Sequence, residues 1–131
     1  MKFVCFGYLD VERWAEKSPS EQNAMIDQCV AYDETLKKNG HWAGGEALQG
    51  ATTIGTSIGN DGGKTYVTDG PYAETKELLG GLLILQARDL EQAIQLISNH
   101  PGVKMGRWEV RPTQDLAPMI EASEKRRAAA R

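Results

Sequence analysis

The chain predicts an α+β sandwich of ferredoxin-like outline: two main helices on one face of an antiparallel sheet, with a helix added at the C-terminus. Apolar residues recur at helical spacing in two main segments, 19–39 and 90–97. Short runs rich in β-branched and aromatic residues stand before, between and after them, in the order β-α-β-β-(loop)-β-α-β. The 131 residues, 40% hydrophobic and 25% charged, are enough for one domain with a real core. Residues 1–114 form that domain in this reading, and 115–131 a helical extension.

Lys2 to Tyr8 reads as the first strand. Its apolar start resembles a signal peptide only faintly, because Gly7 and Tyr8 dilute it and Asp10 ends it. Ser18-Pro19-Ser20-Glu21 supplies a helix start: Ser18 as N-cap, Pro19 at the first helical position and Glu21 closing a capping box. Met25, Cys29, Tyr32 and Leu36 make one stripe, and Gly40 stops the helix. Thr52, Ile54, Thr56 and Ile58 share one face of a strand; residues 59–63 are a hairpin loop, and Lys64 to Thr68 return. Asp69 to Leu78 is a loop with one helical turn at most, and Gly80-Gly81 precede the continuous apolar strand Leu82 to Leu85. Asp89 caps a helix with the stripe Leu90, Ala93, Ile94 and Ile97, which His100-Pro101-Gly102 ends. Met105 to Arg111 is the last strand, and a polar helix begins at Asp115.

Two helices cover one sheet face, yet Leu82 to Leu85 is apolar toward both. A second copy of the chain is the simplest cover and makes a homodimer the expected partner. The alternatives are the 42–58 segment or the C-terminal helix folding across.

Charge and composition exclude several function classes. A net charge of −3 argues against direct nucleic-acid binding, which asks for a basic face. Lys125-Arg126-Arg127 leads into three alanines and reads as a solvated helix end. No apolar run approaches the roughly 20 residues that span a bilayer, so no membrane partner is expected and the protein is read as cytoplasmic. Cys5 and Cys29 sit in apolar patterns without CxxC spacing and read as buried free thiols of a reducing compartment. Gly63-Lys64-Thr65 imitates a phosphate-binding loop, but the required first glycine is Ile58 and a strand follows instead of a helix. GxGxxG at a helix start, GxSxG and HExxH are all missing, so no cofactor and no metal is expected.

Asp69-Gly70-Pro71-Tyr72-Ala73-Glu74-Thr75-Lys76-Glu77 is the informative stretch. Four charged groups stand in nine residues, directly before the most apolar strand. Charges beside a core are costly unless paired or at work. The stretch is therefore either a pocket rim, with Asp69 and Lys76 meeting a small ligand, or a salt-bridged turn. His100, at a helix end before a proline, is a general acid or base in one reading and a residue bonding free carbonyls in the other. Arg111, before Pro112, either clamps a carboxylate or pairs with Glu109.

The Asp69–Glu77 stretch with Gly80-Gly81 resembles the signature of the DGPF-domain branch of the YCII-related family, with Tyr72 where the family name has Phe. Gly44-Gly45-Glu46-x-Leu48, His100-Pro101 and Glu109-Val110-Arg111-Pro112 support the resemblance, which runs to about Pro112. It implies a ferredoxin-like dimer of the dimeric α/β-barrel type, related to small isomerase and dehalogenase folds. In the wider family a His–Asp pair is implicated, with the His in the first helix; Pro19 to Asn39 holds no histidine, so that pair is not carried over. Some relatives are joined to sigma-factor domains, which implies a regulatory role.

Two expectations follow. One is binding or transformation of a small polar metabolite by metal-free acid/base chemistry near the Asp69–Glu77 stretch. Asp69 and His100 are its catalytic residues, and Glu46, Tyr72, Glu74, Lys76 and Arg111 contact the ligand. The other is a non-catalytic regulatory module with a protein partner linked to sigma-factor-dependent transcription.

Overall fold

A computed structural model describes residues 1–49, 55–70 and 77–131. Its elements are β1 (Lys2–Asp10), α1 (Val11–Glu16), α2 (Pro19–Lys38), β2 (Trp42–Ala47), β3 (Thr56–Asp61), β4 (Lys64–Asp69), β5 (Glu77–Gln86), α3 (Leu90–Ser98), a 3-10 turn (Pro101–Lys104), β6 (Trp108–Pro112) and α4 (Ala117–Ala129). Four strands form an antiparallel sheet in the order β2-β5-β1-β6, and β3 with β4 form a separate two-stranded sheet. The main sheet and its two long helices are the ferredoxin-like α+β sandwich the sequence predicts. The hairpin is not part of the main sheet: its six register pairs, from Thr56↔Asp69 to Asp61↔Lys64, are all internal. Gly62 and Gly63, both at positive φ, make a two-residue turn of the hand that hairpins need, so the strands reach Asp61 and Lys64 and the loop is shorter than 59–63. Residues 52–54 of the expected first hairpin strand lie outside the described residues.

The local signals act as read. Ser18 accepts from the Glu21 amide while Glu21 accepts from the Ser18 amide, closing the capping box ahead of Pro19. Asp89 accepts from the Gln92 amide and starts α3. Helix α1 was not expected. Asp10, read only as the end of an apolar run, is its N-cap and accepts from the Arg13 amide. The apolar strand is longer than Leu82 to Leu85, because Gly80 and Gly81 lie inside β5, where the β1–β5 register shifts between Gly7 and Tyr8.

Alternation along the strands sends Phe3, Cys5, Gly7, Gly81, Leu83, Leu85, Trp108 and Val110 toward the helices. With Leu36 of α2 and Ala93 and Ile97 of α3, these strands close a core around Phe3, Cys5, Leu83 and Leu85. Leu90 and Ile94, placed in the α3 stripe by their spacing, are about half exposed. Val4, Phe6, Leu82 and Ile84 take the opposite face. The core fills one end of the sandwich: beside and past Cys5 and Leu83 the helix side of the sheet carries the small residues Gly45, Gly7, Gly81 and Ala47.

Candidate functional site: a cleft beside the His100–Asp33 pair

Small residues on the sheet leave a cleft of about 680 Å³ beneath the middle of α2. Met25, Cys29 and Asp33, one turn apart, form its roof, and His100, Trp42 and Trp108 are among its walls. The two indoles lie against the sheet: a Cβ at Gly7 would stand 2.8 Å from Trp108, and one at Gly45 would stand 2.7 Å from Trp42.

His100 is 4% exposed, and both ring nitrogens are engaged. The Gly102 amide donates to Nδ1 at 2.9 Å, so the ring's proton sits on Nε2, which donates to Asp33 Oδ1 at 2.9 Å. Tyr32 meets the imidazole edge-on at 5.2 Å between centroids and Trp108 tilts against it at 5.0 Å. The Tyr32 hydroxyl in turn donates to the Leu96 carbonyl. The ring is held in one orientation and one tautomer. The side chain of Asp33 is 25% exposed and keeps Oδ2 without a hydrogen bond to any described residue. Both members of the pair line the cleft, and the carboxylate is the more exposed of the two. Such a carboxylate can take a proton from a bound molecule and return it, while the Nε2–H fixes its direction. Burial, with the Asp33 charge adding to it, pushes both the Tyr32 hydroxyl and the Cys29 thiol up. Burial alone pushes the Cys5 thiol up to about 11. Both cysteines are free.

The predicted site residues separate in space. His100 belongs to the cleft: its backbone amide bonds the Ile97 carbonyl at the end of α3, as a helix-end residue does, while its side chain caps the 3-10 turn that follows. Glu46 lines the cleft on edge strand β2, in register with Leu82. Asp69 is exposed at the end of β4, opposite Thr56 in the hairpin, and is not among the residues lining the cleft. Arg111 stands on the sheet face away from the helices, 3.9 Å from Glu109, because it alternates with Val110. Tyr72, Glu74 and Lys76 lie outside the described residues. Glu77 opens β5 and lies 3.4 Å from Arg107. The residue missed is Asp33. Its signal was present, since it follows Cys29 by four and thus places an acid on the edge of an apolar helix stripe.

Among the described residues, no group of three or more His, Cys, Asp or Glu is arranged to hold a metal ion. No described helix is long and apolar enough to cross a membrane. In sequence, 63 residues are 35% identical to an uncharacterised protein of Rhizobium meliloti (strain 1021), covering 47% of this chain and 51% of that one. The chain thus spans about half the length of the curated relative it matches. Among solved structures, 5-chloro-2-hydroxyhydroquinone dehydrochlorinase from Burkholderia phenoliruptrix AC1100, in complex with 2,5-dihydroxybenzoquinone, aligns with a TM-score of 0.48 at 19% identity, over 87% of this chain and 94% of the enzyme. The YCII-related domain matches residues 1–117, nearly nine-tenths of the sequence, and the chain belongs to that family.

Proposed function

We propose that the protein binds or transforms a small metabolite in the cleft beneath α2, by acid/base chemistry carried by Asp33 with His100 as its positioning partner. The observation that supports this is the His100–Asp33 hydrogen bond at 2.9 Å, made by two residues that both line the cleft. A histidine 4% exposed, clamped by two aromatic rings and oriented by a backbone amide, is more constraint than packing requires. The reading assigns the protein to the cytoplasm and includes the 71–76 segment as a further contributor to ligand contact. Thermal-shift screening against a metabolite library tests it, because a bound molecule raises the melting temperature by mass action. Hits that stabilise the parent should fail with Asp33→Asn and weaken with His100→Gln. Hits that stabilise all three proteins alike overturn it.

A second copy of the chain is the proposed partner. Val4, Phe6, Leu82 and Ile84 share the face away from the long helices, and Leu116, Met119 and Ile120 are about half exposed on and just before α4. Light scattering should give twice the chain mass of 14.4 kDa; the chain mass itself at micromolar concentration removes the dimer. The same exposed apolar residues support the second reading, a regulatory module that engages a protein partner, and that role would survive Asp33→Asn unchanged.

A further inference from the structure

We propose that the open edge of β2 is a docking site for an extended segment of another protein, one in which aliphatic residues alternate with basic ones. This rests on the second reading above, a module that engages a protein partner, and it needs no chemistry from Asp33.

The main sheet ends in β2 on one side and in β6 on the other. An exposed edge is a template for another strand, and natural sheets refuse it with charges and prolines. β6 has both, in Glu109, Arg111 and the closing Pro112. β2 has no Lys, Arg or Pro, and four of its six residues are Gly or Ala. Its register on β5 shifts between Trp42 and Gly44, which bulges that end, and then runs unbroken to Ala47. The Leu48 amide still donates to the Gly80 carbonyl. Among the described residues nothing pairs with the other side of this stretch. Gly44 to Leu48 thus offer roughly 16 Å of backbone edge.

A helix overhangs that edge. Ile26, Val30 and Lys37 share one face of α2. Lys37 stands 4.6 Å from the Trp42 ring, so the shared face leans over β2. Tyr32, whose hydroxyl donates to the Leu96 carbonyl, faces α3 on the other side. Ile26 and Val30 line the cleft and are still 47% and 50% exposed, which makes them its rim above β2. The Trp42 indole, folded over Gly45, completes an apolar wall. A strand added to β2 turns alternate side chains toward that wall, where Val, Ile or Leu fits.

The remaining side chains of such a strand fall on the outer sheet face. There Glu46 is exposed and in register with Leu82. Among the described residues Glu46 has no ion pair, so a Lys or Arg is the cross-strand neighbour it lacks. The net charge of −3 favours a partner of the same basic sign. A second copy's β2 suits this edge poorly, because it brings mostly glycine and alanine to the wall and a second Glu46 to the seam.

Three labelled hexapeptides, read by fluorescence polarisation on the parent protein near neutral pH, test the proposal. One alternates lysine and valine, and one alternates glutamate and valine. The third is the lysine–valine peptide N-methylated at every residue, which keeps its charge and side chains but donates no backbone hydrogen bond. We expect the first to bind at least about tenfold tighter than the other two, since lost backbone bonds or reversed charge separate them. Its NMR shifts should centre on Gly44 to Leu48 and Val30. Glu46→Gln should narrow the preference for lysine over glutamate several-fold, and Val30→Asp, shown folded by its NMR spectrum, should weaken binding. Asp33→Asn should leave it unchanged. Equal binding of the N-methylated peptide overturns strand pairing, and equal binding of the glutamate peptide overturns the partner's charge. If β2 amide signals move on dilution of the protein alone, a second copy holds the edge and the proposal falls. It falls too if no peptide shifts β2 at millimolar concentration, and the metabolite reading of the cleft stands in every one of these cases.

Discussion

Asp33 and Asp69 are aspartates in opposite settings. Asp69 opens a stretch with four charged residues in nine, yet in space it is exposed at the end of a hairpin whose register pairs are all internal. Asp33 sits inconspicuously within a long helix, yet it meets a buried histidine 67 residues away. What separates them is convergence. A polar group becomes chemically distinctive when distant segments remove its water and fix its partner, and charge density along the chain measures neither.

The largest effect should come from Asp33→Asn. Any turnover found in the cleft should fall about a hundredfold or more, because an amide cannot take up a proton, while the melting temperature stays near the parent's. Next comes His100→Leu, which leaves the Gly102 amide and the Asp33 carboxylate without their partner. Urea unfolding should show a loss of about 1–3 kcal/mol. Asp69→Asn should cost less than about 0.5 kcal/mol and leave ligand-induced stabilisation intact. If it abolishes that stabilisation instead, the two aspartates are equals and the comparison breaks.

The thiols sharpen the contrast between core and cleft. Both have less thiolate at neutral pH than a free cysteine, since both are pushed up. Alkylation followed by mass spectrometry should leave Cys5 unmodified, label Cys29 slowly, and label it more slowly still with a cleft ligand present. Acid gives the smallest effect. The Ser18 backbone amide holds Glu21 below the usual carboxylate range, and the Gln92 amide does the same for Asp89. A carboxyl lowered in the folded state stabilises above its ordinary range, and that contribution is lost as pH falls through the lowered value. Helical circular dichroism should therefore decline slightly on acidification before global unfolding, and Glu21→Gln should remove the part due to the Ser18 box.

Local chemistry made most of the fold legible. The Ser18–Glu21 box, the Asp89 cap, the Met25-Cys29-Tyr32-Leu36 stripe and the β-α-β order each depend on residues within a few positions of one another, which a sequence displays directly. The short helix after Asp10 escaped because its cap directly follows an apolar run and was read only as that run's end. The membership of the hairpin escaped because strand spacing does not say which sheet a strand joins. Of the site, His100 was visible as one of two histidines, but its partner was not. An acid at the edge of an apolar stripe acquires its meaning only when the turn after α3 is laid against α2, and that juxtaposition is a property of the docked halves.

The arm formed by β3 and β4 has a consequence for how the molecule breathes. Its ladder is closed by its own register pairs, from Thr56 to Asp69 and from Asp61 to Lys64, and Ile58 and Val67 upon it are mostly solvent-facing. Opening it costs the sandwich little buried surface. Amide hydrogen exchange should therefore divide the chain into two kinetic tiers: arm amides that exchange through frequent local opening, and amides of β1 and β5 that wait for global unfolding. Denaturant should accelerate the second tier steeply and leave the first almost untouched, so a segment that folds with the domain can still fluctuate on a clock of its own.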